Sequence, residues 1–161
     1  MIKLIISGVC GRMGRWVADQ SKAFGFDVVC GVDPSGDKYA DFPIYKSFDE
    51  VTQKADVLID FSLPAAFPAL SKYIKENSIP SVLCATGYDE GQENTIKLLS
   101  QKTAIFRSRN MSMGVFVLEQ LSKYAKKLLK GYDIEIIEWH HNKKADSPSG
   151  TALSLYEAIK D

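Results

Sequence analysis

The run Glu138-Trp139-His140-His141-Asn142-Lys143-Lys144-Ala145-Asp146-Ser147-Pro148-Ser149-Gly150-Thr151-Ala152 gathers two imidazoles, two ammoniums and a helix-start pattern into one connection. Histidine titrates near neutral pH, and a lysine beside it can give a proton to a developing nitrogen anion or fix a carboxylate. Ser147 followed by Pro148 predicts an N-cap serine with proline at the first helical position. The amides of Ser149, Gly150 and Thr151 would then be free donors at a helix N-terminus, a cradle for a carboxylate. This is equipment for binding and protonating an anion. Zinc suits the run poorly, because adjacent residues of a strand, as His140 and His141 would be, point to opposite faces. No metal is expected.

The other end of the chain offers a cofactor. Gly8-Val9-Cys10-Gly11-Arg12-Met13-Gly14 follows a short apolar run and opens a helical pattern, where free N–H groups and the helix dipole favour a pyrophosphate. Its glycines are spaced three apart, unlike strict G-x-G-x-x-G, and spacing alone also fits a plain strand-to-helix turn. Asp33 ends the second apolar run, about where an acid would hydrogen-bond the adenosine ribose hydroxyls. That leans toward NADH over NADPH, tempered by Lys38 nearby. Asp60-Phe61-Ser62-Leu63-Pro64 and Cys84-Ala85-Thr86-Gly87 end two further apolar runs. Each alone fits an ordinary turn; with the glycine-rich turn they outline one crevice at a sheet edge. Ser108-Arg109-Asn110-Met111-Ser112 occupies the same edge and leads out of the sheet, as cofactor contact and hinge.

These groups need elements to hold them. Apolar runs at 2–6, 26–32, 57–60, 81–84 and 104–106, with a weaker one within 43–48, alternate with helical patterns at 12–24, 65–77 and 90–102. The alternation predicts an α/β chain with a Rossmann-type doubly wound parallel sheet over residues 1–110. A longer amphipathic stretch from Gly114 ends in Lys126, Lys127 and Lys130 before Gly131, a helix with a basic end and a glycine stop. Asp133-Ile134-Glu135-Ile136 alternates strictly, which predicts a strand with one wet face in a different sheet. Residues 111–161 are therefore expected to begin a second α+β domain. One strand and one helix cannot bury two faces, so that domain is expected to be incomplete here and the chain to be a piece of a longer protein.

With 20 Lys+Arg against 20 Asp+Glu, the formal charge is zero, and no global field favours nucleic acid or an anionic membrane. Cys10, Cys30 and Cys84 are odd in number and lack a C-x-x-C pair, which argues against a disulfide framework and for a reducing cytoplasm. The initial apolar run is too short for a signal peptide, and no segment reaches the length of a membrane span. The residues thus predict a nicotinamide enzyme acting on an anionic small molecule, without saying which one. A noncatalytic nucleotide-binding module and a dehydrogenase of another dicarboxylate stay open at this point.

Taken together, the motifs resemble one family. The Glu138 to Ala152 run is similar to the E-x-H-H-x-x-K-x-D-x-P-S-G-T-A signature of 4-hydroxy-tetrahydrodipicolinate reductases, also called dihydrodipicolinate reductases. The Gly8 to Gly14 run is similar to their G-x-x-G-R-M-G, and Asp60-Phe61-Ser62 and Ala85-Thr86-Gly87 to their cofactor-edge motifs, with Ala85 where many relatives have glycine. The resemblance implies that Gly8, Val9, Cys10, Gly11, Arg12, Met13, Asp33, Phe61, Ala85, Thr86, Gly87, Ser108, Arg109, Asn110 and Met111 contact NADH or NADPH. It implies that His140 and Lys144 are the catalytic pair, Lys144 the proton donor, and that His141, Ser149, Gly150 and Thr151 hold the substrate carboxylates. The implied reaction, in lysine and diaminopimelate synthesis, reduces a cyclic imine dicarboxylate with loss of its hydroxyl as water. The resemblance implies that residues 111–161 begin the substrate-binding and oligomerisation domain, which in the family continues through a larger sheet that builds a homotetramer.

Overall fold

The structure is a computed structural model, and it describes residues 1–140, 142 and 147–160. The chain divides into two compact units, Met1–Ser108 and Arg109–Asp161.

The first unit is built on six parallel strands: β1 (Ile2–Ser7), β2 (Phe26–Val32), β3 (Ile44–Tyr45), β4 (Val57–Asp60), β5 (Ser81–Leu83) and β6 (Ile105–Arg107). Their order is β3-β2-β1-β4-β5-β6. The chain therefore winds outward from β1 in one direction and then, after returning to β4, in the other. That reversal opens a crevice beyond the carboxyl ends of β1 and β4. Three helices cover the sheet: α1 (Arg12–Ser21), α2 (Phe67–Asn77) and α3 (Glu90–Leu99).

Strand alternation sends apolar side chains to both faces, which is why the strands read as nearly continuous apolar runs. Leu4 and Ile6 join Val9 on the face of α1, with Val17, Ala18, Val57 and Ile59 packed around them. Ile5 and Leu58 point the other way, into a larger core with Phe67, Leu70 and Ile74 of α2 and Ile96 and Leu99 of α3. Each such side chain, fully buried, contributes about 1.5–3 kcal/mol against exposure.

The predicted elements shorten at their ends. The first helix ends at Ser21 and tightens into a 3₁₀ turn, Lys22–Phe24, before Gly25 at φ +81°. Residues 64–66 form a 3₁₀ turn ahead of α2, and α3 stops at Leu99, three residues short of the predicted end at 102. α3 starts at a reciprocal cap, in which Asp89 Oδ1 accepts the Gln92 amide and the Gln92 side chain accepts the Asp89 amide.

The second unit contributes two helices, α4 (Met113–Leu128) and α5 (Gly150–Ile159), packed on each other. The predicted strand over Asp133-Ile134-Glu135-Ile136 does not form, and every residue of that stretch is exposed. Alternation marks a segment that could lie on a sheet, but a strand exists only through a ladder of hydrogen bonds to a neighbour. Among the described residues of this unit no neighbouring strand is present. Among the described residues, no helix is long and apolar enough to cross a membrane.

Candidate functional site

The glycine-rich turn joins β1 to α1 at the centre of the sheet. Gly8 has φ +72°, and a Cβ there would stand 2.8 Å from the backbone of Phe61 and Ser62. At Gly14 a Cβ would meet Gly8 O at 2.2 Å, so helix and strand approach as only glycine permits. The spacing of glycines three apart thus serves close packing of the turn against the next loop and against its own helix.

α1 begins at Gly11 with no side chain capping it and no acid in its first turn. α3, α4 and α5 are capped by Asp89, Ser112 and Ser149, whereas α2, which also lacks a side-chain cap, is entered from the 3₁₀ turn of residues 64–66. The Arg12, Met13 and Gly14 amides lack intrahelical acceptors by their position, and the dipole adds partial positive charge. A cap left without an internal anion suits a diphosphate.

Asp33 follows the carboxyl end of β2 beside this turn. Its Oδ2 accepts the Cys10 amide at 3.1 Å and its Oδ1 accepts the Ser35 amide at 3.1 Å. Each carboxylate oxygen retains a second lone pair, so a ribose hydroxyl can still be received. Val9 is buried, and its side chain belongs to the core, leaving backbone as its contribution to the turn.

Two residues that sequence reasoning did not single out brace the turn from outside. The Tyr39 hydroxyl donates to Val9 O at 2.9 Å, and Arg15 Nε donates to Cys10 O at 2.9 Å. The Arg15 guanidinium stacks 4.1 Å over the Tyr39 ring and reaches Asp37 at 3.8 Å. Tyr39 comes from the connection after β2, so nothing near the glycines announces it. Arg15 lies one residue past the motif, where an exposed-face arginine is unremarkable by pattern.

Phe61, Ala85, Thr86 and Gly87 lie beyond the ends of β4 and β5, at the same sheet edge as the glycine-rich turn. Gly87 adopts φ +81°, which turns the chain before Tyr88. Buried Cys84 is pushed up to about 12 by loss of solvent and by Asp60, and buried Cys30 to about 11 by loss of solvent. Neither thiol is a nucleophile at neutral pH. Ser108 ends the first unit, while Arg109, Asn110 and Met111 open the second.

In the second unit the predicted helix start moves. The cap is Ser149, whose Oγ accepts the Ala152 amide at 3.0 Å, in place of Ser147 with Pro148 inside the helix. Glu138 Oε1 accepts the Ser149 amide at 2.8 Å and so fastens the residue that caps the helix. The Ser149 amide is therefore engaged within the protein, and Gly150 and Thr151 remain as the donors of the first turn. Glu138 Oε2 lies 3.4 Å from His140 Nδ1, so the carboxylate that seats the helix start also faces the imidazole. Asn110 Nδ2 donates to Thr151 Oγ1 at 3.0 Å, and Asn110 Oδ1 accepts the Ser112 amide at 2.8 Å, tying the starts of α4 and α5 together. Predicted site residues His141 and Lys144 lie outside the described residues.

Two family models cover nearly the whole chain: the N-terminal part of dihydrodipicolinate reductase over residues 2–111, and the C-terminal part over residues 114–161. The chain belongs to the dihydrodipicolinate reductase family. It is 44% identical over its full length to 4-hydroxy-tetrahydrodipicolinate reductase of Clostridium tetani, covering 64% of that protein. With the enzyme of the same name from Caldanaerobacter subterraneus subsp. tengcongensis it shares 48% identity, across 99% of this chain and 63% of the relative. The chain thus spans somewhat under two thirds of these reductases. Among solved structures it is similar to a dipicolinate-bound dihydrodipicolinate reductase from Paenisporosarcina sp. TG-14, with TM-score 0.79 and 25% identity over 99% of this chain and 65% of that one.

Proposed function

We propose that this chain carries the dinucleotide-binding domain, residues 1–110, and the beginning of the substrate domain, residues 111–161, of an NAD(P)H-dependent 4-hydroxy-tetrahydrodipicolinate reductase, with NADH the preferred cofactor. The observation that carries the cofactor half is the uncapped start of α1 beside Asp33, an anion site and a ribose acceptor on adjacent strands. Family membership over both parts supplies the substrate.

The Arg12, Met13 and Gly14 amides would hold the diphosphate, and Asp33 the adenosine ribose. Phe61, Ala85, Thr86 and Gly87 would flank the nicotinamide. Bound dihydronicotinamide supplies hydride to the ring carbon of the imine. The chain's own residues then have two tasks. The amides of Gly150 and Thr151, with His141, would fix the substrate carboxylates. His140, held by Glu138, and Lys144 would deliver a proton at the ring nitrogen, where charge develops.

The test is loss of nicotinamide absorbance on adding 4-hydroxy-tetrahydrodipicolinate to the protein with NADH. Substrate-dependent oxidation is expected; none in a protein that binds NADH would contradict the assignment. His140→Gln should lower turnover, whereas Asp33→Ala should raise the KM for cofactor. A second reading, that these 161 residues alone bind the nucleotide without turning over, is favoured by one observation. Neither α4 nor α5 buries an apolar side chain, and an open site is a wet one. NADH binding without turnover would support it.

A further inference from the structure

Beyond the carboxyl ends of β4, β5 and β6 the first unit buries a charged network that neither the glycine-rich turn nor the His140 region uses. Asp60 is fully buried; its Oδ1 accepts the Ser62 amide at 3.1 Å and its Oδ2 accepts the Tyr88 hydroxyl at 3.0 Å. The Arg107 guanidinium lies 4.7 Å over the Tyr88 ring and donates to Leu83 O at 3.1 Å, to Ser108 O at 3.3 Å and to Glu93 of α3 at 3.0 Å. Loss of solvent and the Asp60 carboxylate push the Tyr88 phenol well above its ordinary value, so the hydroxyl stays a donor.

Burying a carboxylate and a guanidinium is expensive, and well-packed apolar side chains of the same size commonly stabilise as much or more. Stability alone therefore does not account for this arrangement. What it does fix is direction. Asp60 locks the loop after β4 through the Ser62 amide, and Tyr88 anchors the exit of the 85–87 loop where Gly87 has turned the chain. Gln92 Nε2 donates to Pro64 O at 3.0 Å and ties the first of these loops to α3 as well. Both loops lie on the β4 and β5 side of β1, opposite Asp33, which follows β2. A dinucleotide spanning the crevice with its adenosine at Asp33 would place its nicotinamide on this side.

We propose that Tyr88 and Arg107 are positioning residues for the nicotinamide half of the cofactor, Tyr88 acting through its bond to Asp60 and Arg107 through the Tyr88 ring and the Leu83 and Ser108 carbonyls, so that the 61–63 and 85–87 loops are held in register. The inference rests on the reading that this chain binds NAD(P)H. It makes a prediction that a merely structural role does not share, because ADP-ribose carries the adenosine, the diphosphate and the second ribose and lacks only the nicotinamide ring.

The experiment is calorimetric titration of the 161-residue chain with NADH and, separately, with ADP-ribose, for the wild type, Tyr88→Phe and Arg107→Lys. Tyr88→Phe keeps the ring beneath Arg107 and removes one hydroxyl. Arg107→Lys keeps the charge near Glu93 but loses the planar fork. Each variant should bind NADH about tenfold more weakly, a change of about 1.4 kcal/mol, while ADP-ribose affinity stays within about twofold. Unchanged NADH affinity, with or without a lower Tm, would overturn the inference, as would equal weakening of both ligands. A wild type that binds neither ligand would overturn the cofactor reading itself, and the inference with it.

Discussion

Leu70 of α2 and Leu121 of α4 are the same side chain on the apolar stripe of an amphipathic helix, yet Leu70 is 0% exposed and Leu121 is 60% exposed. Around Leu70 the sheet supplies Ile5 and Leu58, and α3 supplies Ile96 and Leu99. Around Leu121, the described residues of the second unit leave Phe116, Leu118, Tyr124 and Leu128 exposed as well, and Trp139 is 90% exposed. Periodicity states which face of a helix seeks cover. It does not state whether the cover is present, because that depends on residues far away in sequence. The first unit has a closed core and a braced loop edge; among its described residues the second shows a helix pair and a histidine beside Glu138, with no buried apolar cluster around them.

The largest expected effect comes from the leucine pair itself. Leu70→Ala should cost about 3–4 kcal/mol by removing buried methyl groups from a packed core, whereas Leu121→Ala should fall within about 0.5 kcal/mol. Denaturant unfolding of both variants checks this, and a comparable loss at Leu121 would mean that α4 is covered in solution. Next, Gly14→Ala forces a Cβ to 2.2 Å from Gly8 O. It should cost about 2–3 kcal/mol and weaken NADH binding, read by thermal unfolding and titration.

A pH dependence also separates the units. Cys30 and Cys84 rise from 9.0 to about 11 and about 12 in the folded chain, and all three cysteines lie in the first unit. Folded thiols hold their protons longer than unfolded ones, so their contribution is complete below pH 9.0 and is lost as pH rises through about 11 to 12. The denaturation midpoint of the first unit should drop between about pH 8 and about pH 10.5, with a shallower drop in Cys30→Ala. Smallest is Ser149→Ala, which removes the cap on the Ala152 amide and should cost about 1 kcal/mol, seen as faster hydrogen exchange confined to the first turn of α5.

The contrast between units also explains what was legible in advance. Strands 26–32 and 57–60 coincide with β2 and β4 because a strand buried on both faces must be apolar at every position. The glycine-rich turn was legible because close backbone approach leaves no residue but glycine. The Asp133 to Ile136 alternation misled, since it reports a wish for a sheet without reporting the sheet. Tyr39, Tyr88 and Arg107 were illegible because each acts across a separation of roughly twenty to thirty residues, through contacts that no local spacing encodes. Glu138 was visible inside the histidine run, but its hold on both His140 and the Ser149 amide appears only once the chain folds back.

The central claim is that the first unit is a finished dinucleotide site. Titration of the 161-residue chain with NADH, followed by nicotinamide fluorescence, tests it most directly. Saturable binding at one site, competed by ADP-ribose and weakened by Asp33→Ala, is the predicted result. A folded chain that shows no saturable binding would contradict the account.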